Sequence, residues 1–169
     1  VPGFTNKLLA KIANQVFEAF PNTFLKHEKV IHTGNPLRRE IADLALRKRS
    51  FKEASRPLQI LVLGGSQGAL AINEVVPELL ADWTEDNRPS VRHQTGDNTF
   101  EKTQEAYRGR GLSLSKRIDV LPFISGMAEA YIWADLVICR SGASTVSEIA
   151  AAGLPSILVP YPHHSDQQQ

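Results

Sequence analysis

The sequence has little of what several classes of protein require. Its one cysteine, Cys139, lies within an apolar run and has no second cysteine to pair with, which suits a reducing compartment. No apolar stretch approaches the ~18 residues that a membrane-spanning helix needs. The net charge is only +1, from 19 basic and 18 acidic residues, so there is no broad basic surface for nucleic acid. We therefore expect a soluble or peripherally attached protein that does not bind nucleic acid.

Metal ligands and one common phosphate-binding motif are also missing. His163 and His164 are adjacent and cannot both face one metal ion from a regular element, and no cysteine or carboxylate cluster completes a site. The Lys-Ser/Thr pair of a P-loop is absent as well. We therefore predict no metal site and no P-loop nucleotide site.

The sequence does contain a regular alternation of apolar strands and amphipathic helices. Leu58 to Leu63 is a nearly unbroken aliphatic run, typical of a strand buried on both faces. The pattern predicts the strands 58–63, 91–94, 119–121, 136–139 and 156–159 and the helices 69–81, 98–107, 127–133 and 145–152. Because such alternation pairs strands in parallel through right-handed crossovers, we predict an α/β fold with a doubly wound parallel sheet. Ligands of these sheets bind at the carboxyl ends of the strands.

The beginning of the chain does not fit that alternation. Apolar residues recur at helical spacing over 6–20, which predicts one helix there, and 30–32 reads as a short strand. Gly34-Asn35-Pro36 then indicates a turn. We place a domain boundary near Asn35, so that 1–35 is the end of one domain with its linker and 36–169 is a second domain.

The most informative segment is a hydroxyl-rich turn from Ser141 to Glu148, between a predicted strand and a predicted helix. Backbone N–H groups at a helix start lack partners within the helix, and the helix dipole adds about half a positive charge there. An anion such as phosphate therefore finds donors at this turn. Glu148 lies one turn further on, where it could accept hydroxyls of an attached sugar. Thr145 and Glu148 also match a capping box, in which Glu148 would bind the Thr145 backbone instead of a ligand.

A second small turn, Gly64-Gly65-Ser66-Gln67-Gly68, follows another predicted strand. Its glycines permit positive φ and close approach to the backbone, and Ser66 offers a hydroxyl to a phosphate oxygen. Ser66 could equally be a helix cap in a tight turn. Two such turns in one parallel sheet favour a diphosphate between them.

Two further segments admit both a structural and a functional interpretation. Ile124 follows a strand, where free backbone groups could pair with the edge of a pyrimidine, although composition alone favours a core residue. The amides of Gln167, Gln168 and Gln169 could bind sugar hydroxyls, because an amide both donates and accepts hydrogen bonds. From these glutamines alone, a solvated loop is the better explanation.

Taken together, these motifs closely resemble the MurG family of bacterial N-acetylglucosaminyltransferases, which convert lipid I to lipid II in peptidoglycan synthesis. The segments that carry the resemblance are 5–7, 34–38, 64–69, 93–96, 123–124 with Met127, 139–155 and 166–169. The resemblance implies a GT-B fold, whose Rossmann-like C-terminal half binds the nucleotide sugar. Residues 1–35 would then be a remnant of the acceptor-binding domain, and 36–169 a donor-binding domain truncated at its end. We expect the chain to be inactive as a fragment.

The resemblance also implies roles for individual residues. The residues implied in donor binding are Arg38, Ser66, Ile124, Ala143, Ser144, Thr145, Val146, Ser147, Glu148, Gln168 and Gln169. Ser66 would contact the diphosphate, Ile124 the uracil and Glu148 the ribose diol. Gln168, with Gln169, would recognise the N-acetylglucosamine hydroxyls, and Arg38 would lie near the uridine.

The expected reaction is an inverting attack by the acceptor 4-hydroxyl on the sugar C1, with the helix starts stabilising the departing UDP. We assign no catalytic residue, because the family's acceptor site and its general base would precede Val1. The implied partners are UDP-N-acetylglucosamine and lipid I, with no cofactor and no metal. The implied location is the cytoplasmic face of the bacterial inner membrane, contacted peripherally through the preceding domain.

Two alternative functions remain open. The chain could be a non-catalytic nucleotide-sugar-binding subunit that works with a partner, although 1–35 looks like the end of another domain and argues against this. It could also belong to a GT-B glycosyltransferase with a different lipid acceptor, such as diacylglycerol.

Overall fold

A computed structural model describes residues 2–25, 27–47, 56–65, 69–115 and 117–161. Its strands are β1 (Val16–Glu18), β2 (Val30–His32), β3 (Gln59–Leu63), β4 (Ser90–Gln94), β5 (Ile118–Leu121), β6 (Leu136–Arg140) and β7 (Ser156–Val159). Its α-helices are α1 (Phe4–Ile12), α2 (Arg39–Ala42), α3 (Leu70–Ala81), α4 (Phe100–Gly109), α5 (Met127–Trp133) and α6 (Ala143–Ala152). Short 3₁₀ turns follow α2 and precede α4.

The centre of the fold is a five-stranded sheet in the order β5-β4-β3-β6-β7. All of its strand pairs are parallel, and β3 lies between β4 and β6. The prediction of an α/β fold with a doubly wound parallel sheet is therefore confirmed. From β3 the chain adds β4 and β5 on one side of the sheet, and it then crosses back to add β6 and β7 on the other side of β3. The carboxyl ends of β3 and β6 therefore form a topological switch point, where sheets of this kind bind ligands.

The core has two layers, one on each face of the sheet. Leu61 and Leu63 of β3 face α2, α5 and α6, whereas Val62 between them faces α3 and α4. This alternation follows the two-residue period of a strand, and it explains why β3 is aliphatic throughout. Cys139 of β6 is a free, buried thiol, and burial raises its pKa to about 11.

The prediction of one helix over 6–20 is wrong. The helix α1 ends at Ile12, and Val16–Glu18 forms the strand β1, which pairs in parallel with β2. Strand pairing competes successfully with helical spacing here, because Val16 and Glu18 become buried. The Glu18 carboxylate also accepts hydrogen bonds from the backbone N–H groups of Asn22 and Phe24, at 3.2 and 3.1 Å.

The elements on either side of Asn35 belong to different layers of structure. Before it, β1 and β2 form a separate two-stranded sheet. After it, Ile41 of α2 and Leu44 of the following turn are buried in the core of the five-stranded sheet, with α5 and α6. The domain boundary near Asn35 stays a prediction. Within the described ranges, no helix is both long and apolar enough to cross a membrane.

Candidate functional site

The site begins with a tight turn at the carboxyl end of β3. The Gly64 N–H donates to the Gln94 carbonyl at 2.8 Å, and Gly65 has a φ of +74°, a conformation that favours glycine. A Cβ added at Gly64 would lie 2.9 Å from the Gln94 carbonyl oxygen and 3.1 Å from Asn73 Oδ1. The predicted Ser66 lies outside the described residues. At Gly64 and Gly65 the chain therefore makes a tight turn with close backbone packing, which is the structural interpretation of these glycines.

A buried polar network lies beside this turn and fixes its position. The His93 ring contacts Tyr107 Oη through Nδ1 at 2.9 Å and Asn73 Oδ1 through Nε2 at 3.0 Å. The Asn73 amide in turn donates to the Thr95 carbonyl and to the Thr99 hydroxyl. Because Asn73 Oδ1 can only accept, Nε2 carries the proton and Nδ1 accepts from Tyr107. The network ties the start of α3 to the carboxyl end of β4.

Burial also determines the charge of this network. His93 is fully buried, and desolvation lowers its pKa to about 3, so the ring is neutral at physiological pH. A neutral ring donates one hydrogen bond and accepts one, which is what Asn73 and Tyr107 require. His93 is thus a structural residue of the site.

The second turn lies at the carboxyl end of β6. The helix α6 begins at Ala143, with Gly142 in extended conformation as its N-cap and no side-chain cap hydrogen bond. Within the described part of the chain, the backbone N–H groups of Ala143, Ser144 and Thr145 have no hydrogen-bond acceptor. The Val146 N–H donates to the Gly142 carbonyl, and this hydrogen bond closes the first turn of the helix. The start of α6 therefore offers free donors and the positive end of the helix dipole.

The capping-box interpretation of Thr145 and Glu148 is wrong. Because α6 begins two residues before Thr145, Thr145 lies inside the first turn and is not the N-cap. The Glu148 carboxylate instead accepts a hydrogen bond from the Tyr131 hydroxyl at 2.8 Å. Its other oxygen lies 3.6 Å from the Arg38 guanidinium. Glu148 is therefore available to a ligand from the side of Arg38.

The segment before α2 runs past this part of α6. Asn35 donates from Nδ2 to the Ser147 hydroxyl at 3.3 Å, and Ser147 donates to the Ala143 carbonyl at 2.9 Å. Arg38 also lies 3.4 Å from Glu40 and is about half exposed. The Ser147 hydroxyl is therefore engaged in contacts within the protein. The side chains of Arg38 and Glu148 remain partly exposed to solvent.

Ile124 is buried in the same core cluster as Ile149 and Leu154. Its side chain is thus a core residue, which is the structural interpretation of this position. Among the described residues, its backbone N–H and C=O have no hydrogen-bond partner. The neighbouring Phe123 is 62% exposed. The backbone of Ile124 remains free to pair with a ligand.

The structure brings most of the predicted residues to one edge of the sheet. Arg38, Ser147 and Glu148 are linked by contacts through Asn35 and α6, and 143–146 form the first turn of that helix. Gln168 and Gln169 lie outside the described residues. Sequence reasoning missed Tyr131 and Asn35. The one available signal for Tyr131 was its type, because a tyrosine on the apolar face of a helix needs a partner for its hydroxyl.

Comparison with known proteins decides the family. The profile of the glycosyltransferase family 28 C-terminal domain matches residues 59–169. The chain belongs to this glycosyltransferase family. Its matched region begins at the first residue of β3 and includes both turns of the site.

Individual relatives of this family 28 chain support a more specific homology. It is 48% identical to a protein from Shewanella denitrificans and 50% identical to one from Pseudomonas paraeruginosa, each aligned with 100% of the chain. Both are named UDP-N-acetylglucosamine–N-acetylmuramyl-(pentapeptide) pyrophosphoryl-undecaprenol N-acetylglucosamine transferase. The crystal structure of Acinetobacter baumannii MurG matches 99% of the chain with a TM-score of 0.72 and 41% identity. The resemblance to MurG is therefore confirmed.

The alignments cover only part of each relative's own length. The chain spans 45% and 46% of the two enzymes from Shewanella and Pseudomonas, and 45% of the Acinetobacter chain. It thus corresponds to about half of a MurG protein.

Proposed function

We propose that the complete protein transfers N-acetylglucosamine from UDP-N-acetylglucosamine to the muramoyl 4-hydroxyl of lipid I, giving lipid II, and that this chain supplies the donor site. The observation that carries this proposal is the pairing of Leu63 with Cys139 in neighbouring strands. It places the turn after β3 beside the turn that starts α6. Homology with enzymes named for this donor and acceptor supports the choice of reaction.

The diphosphate would lie between the two turns. The free N–H groups at the start of α6 supply donors, and Gly65, where a Cβ would meet open space, adds no side chain on the other side. Ser66 would add its hydroxyl from the turn after β3. Together these groups would stabilise the negative charge that develops on UDP as its bond to the sugar breaks.

The nucleoside would extend from the diphosphate toward the segment before α2. The Glu148 carboxylate, next to Arg38, would accept hydrogen bonds from the ribose diol. The free backbone groups of Ile124 would pair with the edge of the uracil. Gln168 and Gln169 would bind the sugar hydroxyls, so donor specificity would come from the end of the chain.

The chemical step would be a single displacement with inversion. The acceptor 4-hydroxyl oxygen would form a bond to the sugar C1 as the bond from C1 to the UDP oxygen breaks. The hydroxyl proton would pass to a base outside this chain. The residues of the proposed donor site would bind the donor and its leaving group, and none of them would act as the base for the acceptor.

Titration calorimetry with UDP-N-acetylglucosamine on the complete protein tests the donor site. Glu148→Ala is expected to weaken binding by tenfold or more, about 1.4 kcal/mol, because the ribose loses its acceptor. Glu101→Ala removes an exposed carboxylate from the first turn of α4 and is the matched control, with no expected change. Unchanged affinity in a folded Glu148→Ala protein would contradict the assignment.

The acceptor and the location need separate tests, because both depend on protein outside this chain. Transfer assays with lipid I and with diacylglycerol would separate the proposed reaction from that of a related enzyme with another lipid acceptor. Transfer to diacylglycerol alone would rule out the proposed acceptor. We place the complete enzyme at the cytoplasmic face of the inner membrane, and flotation with vesicles of bacterial lipids tests that contact.

A further inference from the structure

Tyr131 is a buried residue whose hydroxyl has a specific polar partner. Its residue surface is 1% exposed, and its ring lies in the core cluster between the sheet and the helices α5 and α6. The hydroxyl donates to Glu148 Oε2 at 2.8 Å. A phenylalanine would fill the same space, so packing alone does not account for the hydroxyl.

The two oxygens of the Glu148 carboxylate have different surroundings. Oε2 points to the core and is held by Tyr131, whereas Oε1 points to the surface and lies 3.6 Å from Arg38 Nη2. The Glu148 side chain is 18% exposed, and that of Arg38 is 51% exposed. One oxygen is therefore anchored from inside the protein, and the other is on the side from which a ligand can approach.

The hydroxyl donates at any physiological pH. Burial raises the pKa of Tyr131, and the hydrogen bond to the Glu148 carboxylate raises it further, so the phenol stays protonated. A hydrogen bond to an ionised carboxylate is stronger than one between neutral groups. The 2.8 Å contact therefore holds one oxygen of the carboxylate by a charge-assisted hydrogen bond.

We propose that Tyr131 is a positioning residue of the donor site, which holds the Glu148 carboxylate so that Oε1 faces the ribose diol. The proposal rests on the proposed function, because it assumes that Glu148 binds ribose. Without the hydroxyl, the carboxylate is free to turn both oxygens toward Arg38. A ribose would then have to displace Arg38 from both carboxylate oxygens before it could bind.

The test uses the complete protein and two ligands, UDP and 2′-deoxy-UDP, with affinities measured by titration calorimetry. In the unmodified protein we expect UDP to bind more tightly, because only UDP offers a 2′-hydroxyl to Glu148. Tyr131→Phe is expected to weaken UDP binding about tenfold. It is expected to weaken 2′-deoxy-UDP binding less, because that ligand offers Glu148 only its 3′-hydroxyl, so that the ratio of the two affinities falls toward one.

Trp133→Phe provides the matched control. It also shortens an aromatic side chain on α5, near the same core cluster, and the Trp133 ring packs under the Arg92 guanidinium at 4.5 Å, whereas the hydroxyl bonded to Glu148 belongs to Tyr131. The ratio of the two affinities should therefore stay at its original value. A Tyr131→Phe protein that keeps the original ratio would overturn the proposal, since loosened packing alone would weaken both ligands equally.

Two outcomes separate this proposal from the one on which it rests. If the unmodified protein binds UDP and 2′-deoxy-UDP equally, the assignment of Glu148 to the ribose fails. If it discriminates but Tyr131→Phe does so equally well, only the role of Tyr131 fails. Should Tyr131→Phe not fold, a crystal structure of the unmodified protein with UDP decides. Tyr131 must still contact Oε2 while Oε1 contacts the ribose, and a complex without the tyrosine contact refutes the role.

Discussion

Asn35 and Ser147 are 112 residues apart in the chain, and the Asn35 amide donates to the Ser147 hydroxyl at 3.3 Å. This contact attaches the segment before α2 to the first turns of α6. It lies close to the Arg38 and Glu148 pair, so the proposed nucleoside site is bounded by two distant parts of the sequence.

A double-mutant cycle measures whether the Asn35 contact stabilises the domain. Asn35→Ala, Ser147→Ala and the double variant are compared by urea unfolding, followed by tryptophan fluorescence of the complete protein. We expect a coupling energy of about 0.5–1 kcal/mol, typical of a partly buried neutral hydrogen bond. The control cycle combines Asn35→Ala with Ser144→Ala, and its coupling should be near zero. Additive effects of Asn35→Ala and Ser147→Ala would show that the bond contributes nothing.

Gly64→Ala is expected to destabilise the domain by about 1–3 kcal/mol. The added Cβ would lie 2.9 Å from the Gln94 carbonyl oxygen, which is held in the sheet and cannot move aside. Gly109→Ala, near the end of α4, is the control. Nothing lies within 4 Å of its Cβ, and alanine favours a helix by up to about 1 kcal/mol relative to glycine. Equal urea midpoints for the two variants would contradict the close packing at Gly64.

His93 makes stability depend on pH in a defined direction. Its pKa is about 3 in the folded protein and 6.5 in the unfolded chain. Above pH 6.5 the ring is neutral in both states and contributes no pH dependence. Between pH 6.5 and 3 only the unfolded chain binds the proton, so stability is lost as the pH falls, by about 1.4 kcal/mol per unit.

Urea unfolding between pH 7.5 and 5 checks this expectation, because carboxylates titrate mainly at lower pH. The control is His27→Gln, which removes an exposed histidine outside the core of the five-stranded sheet. His93→Gln should be less stable at pH 7.5 but lose less stability on acidification. A free energy of unfolding that stays constant from pH 7.5 to 5 would contradict the buried, neutral histidine.

The fold was predictable where sequence pattern and burial agree. The aliphatic run of β3 belongs to a strand buried on both faces, and helix α5 and strand β7 have the bounds that their patterns predicted. The prediction of a helix over 6–20 was wrong, because hydrophobic periodicity carries no information about the pairing of Val16 with Val30 in a strand. Local spacing cannot report a contact between segments.

The candidate site shows the same limit. The two turns at the carboxyl ends of β3 and β6 were predictable, since small residues and helix starts are local signals. The partner of Glu148 was not. Thr145 offered a local capping residue, whereas the observed donor is Tyr131, 17 residues away on another helix. Only the packing of α5 against α6 brings the two together.

The pairing of β3 with β6 also determines when the site forms as the protein folds. Ile60 pairs with Leu136, which is 76 positions later, so the closing contact carries a large loop-entropy cost. The strands β3, β4 and β5 can associate in chain order, but both turns come together only after β6 has joined them. A ligand that needs both turns therefore binds a structure that forms late in folding. It should slow unfolding much more than it speeds folding.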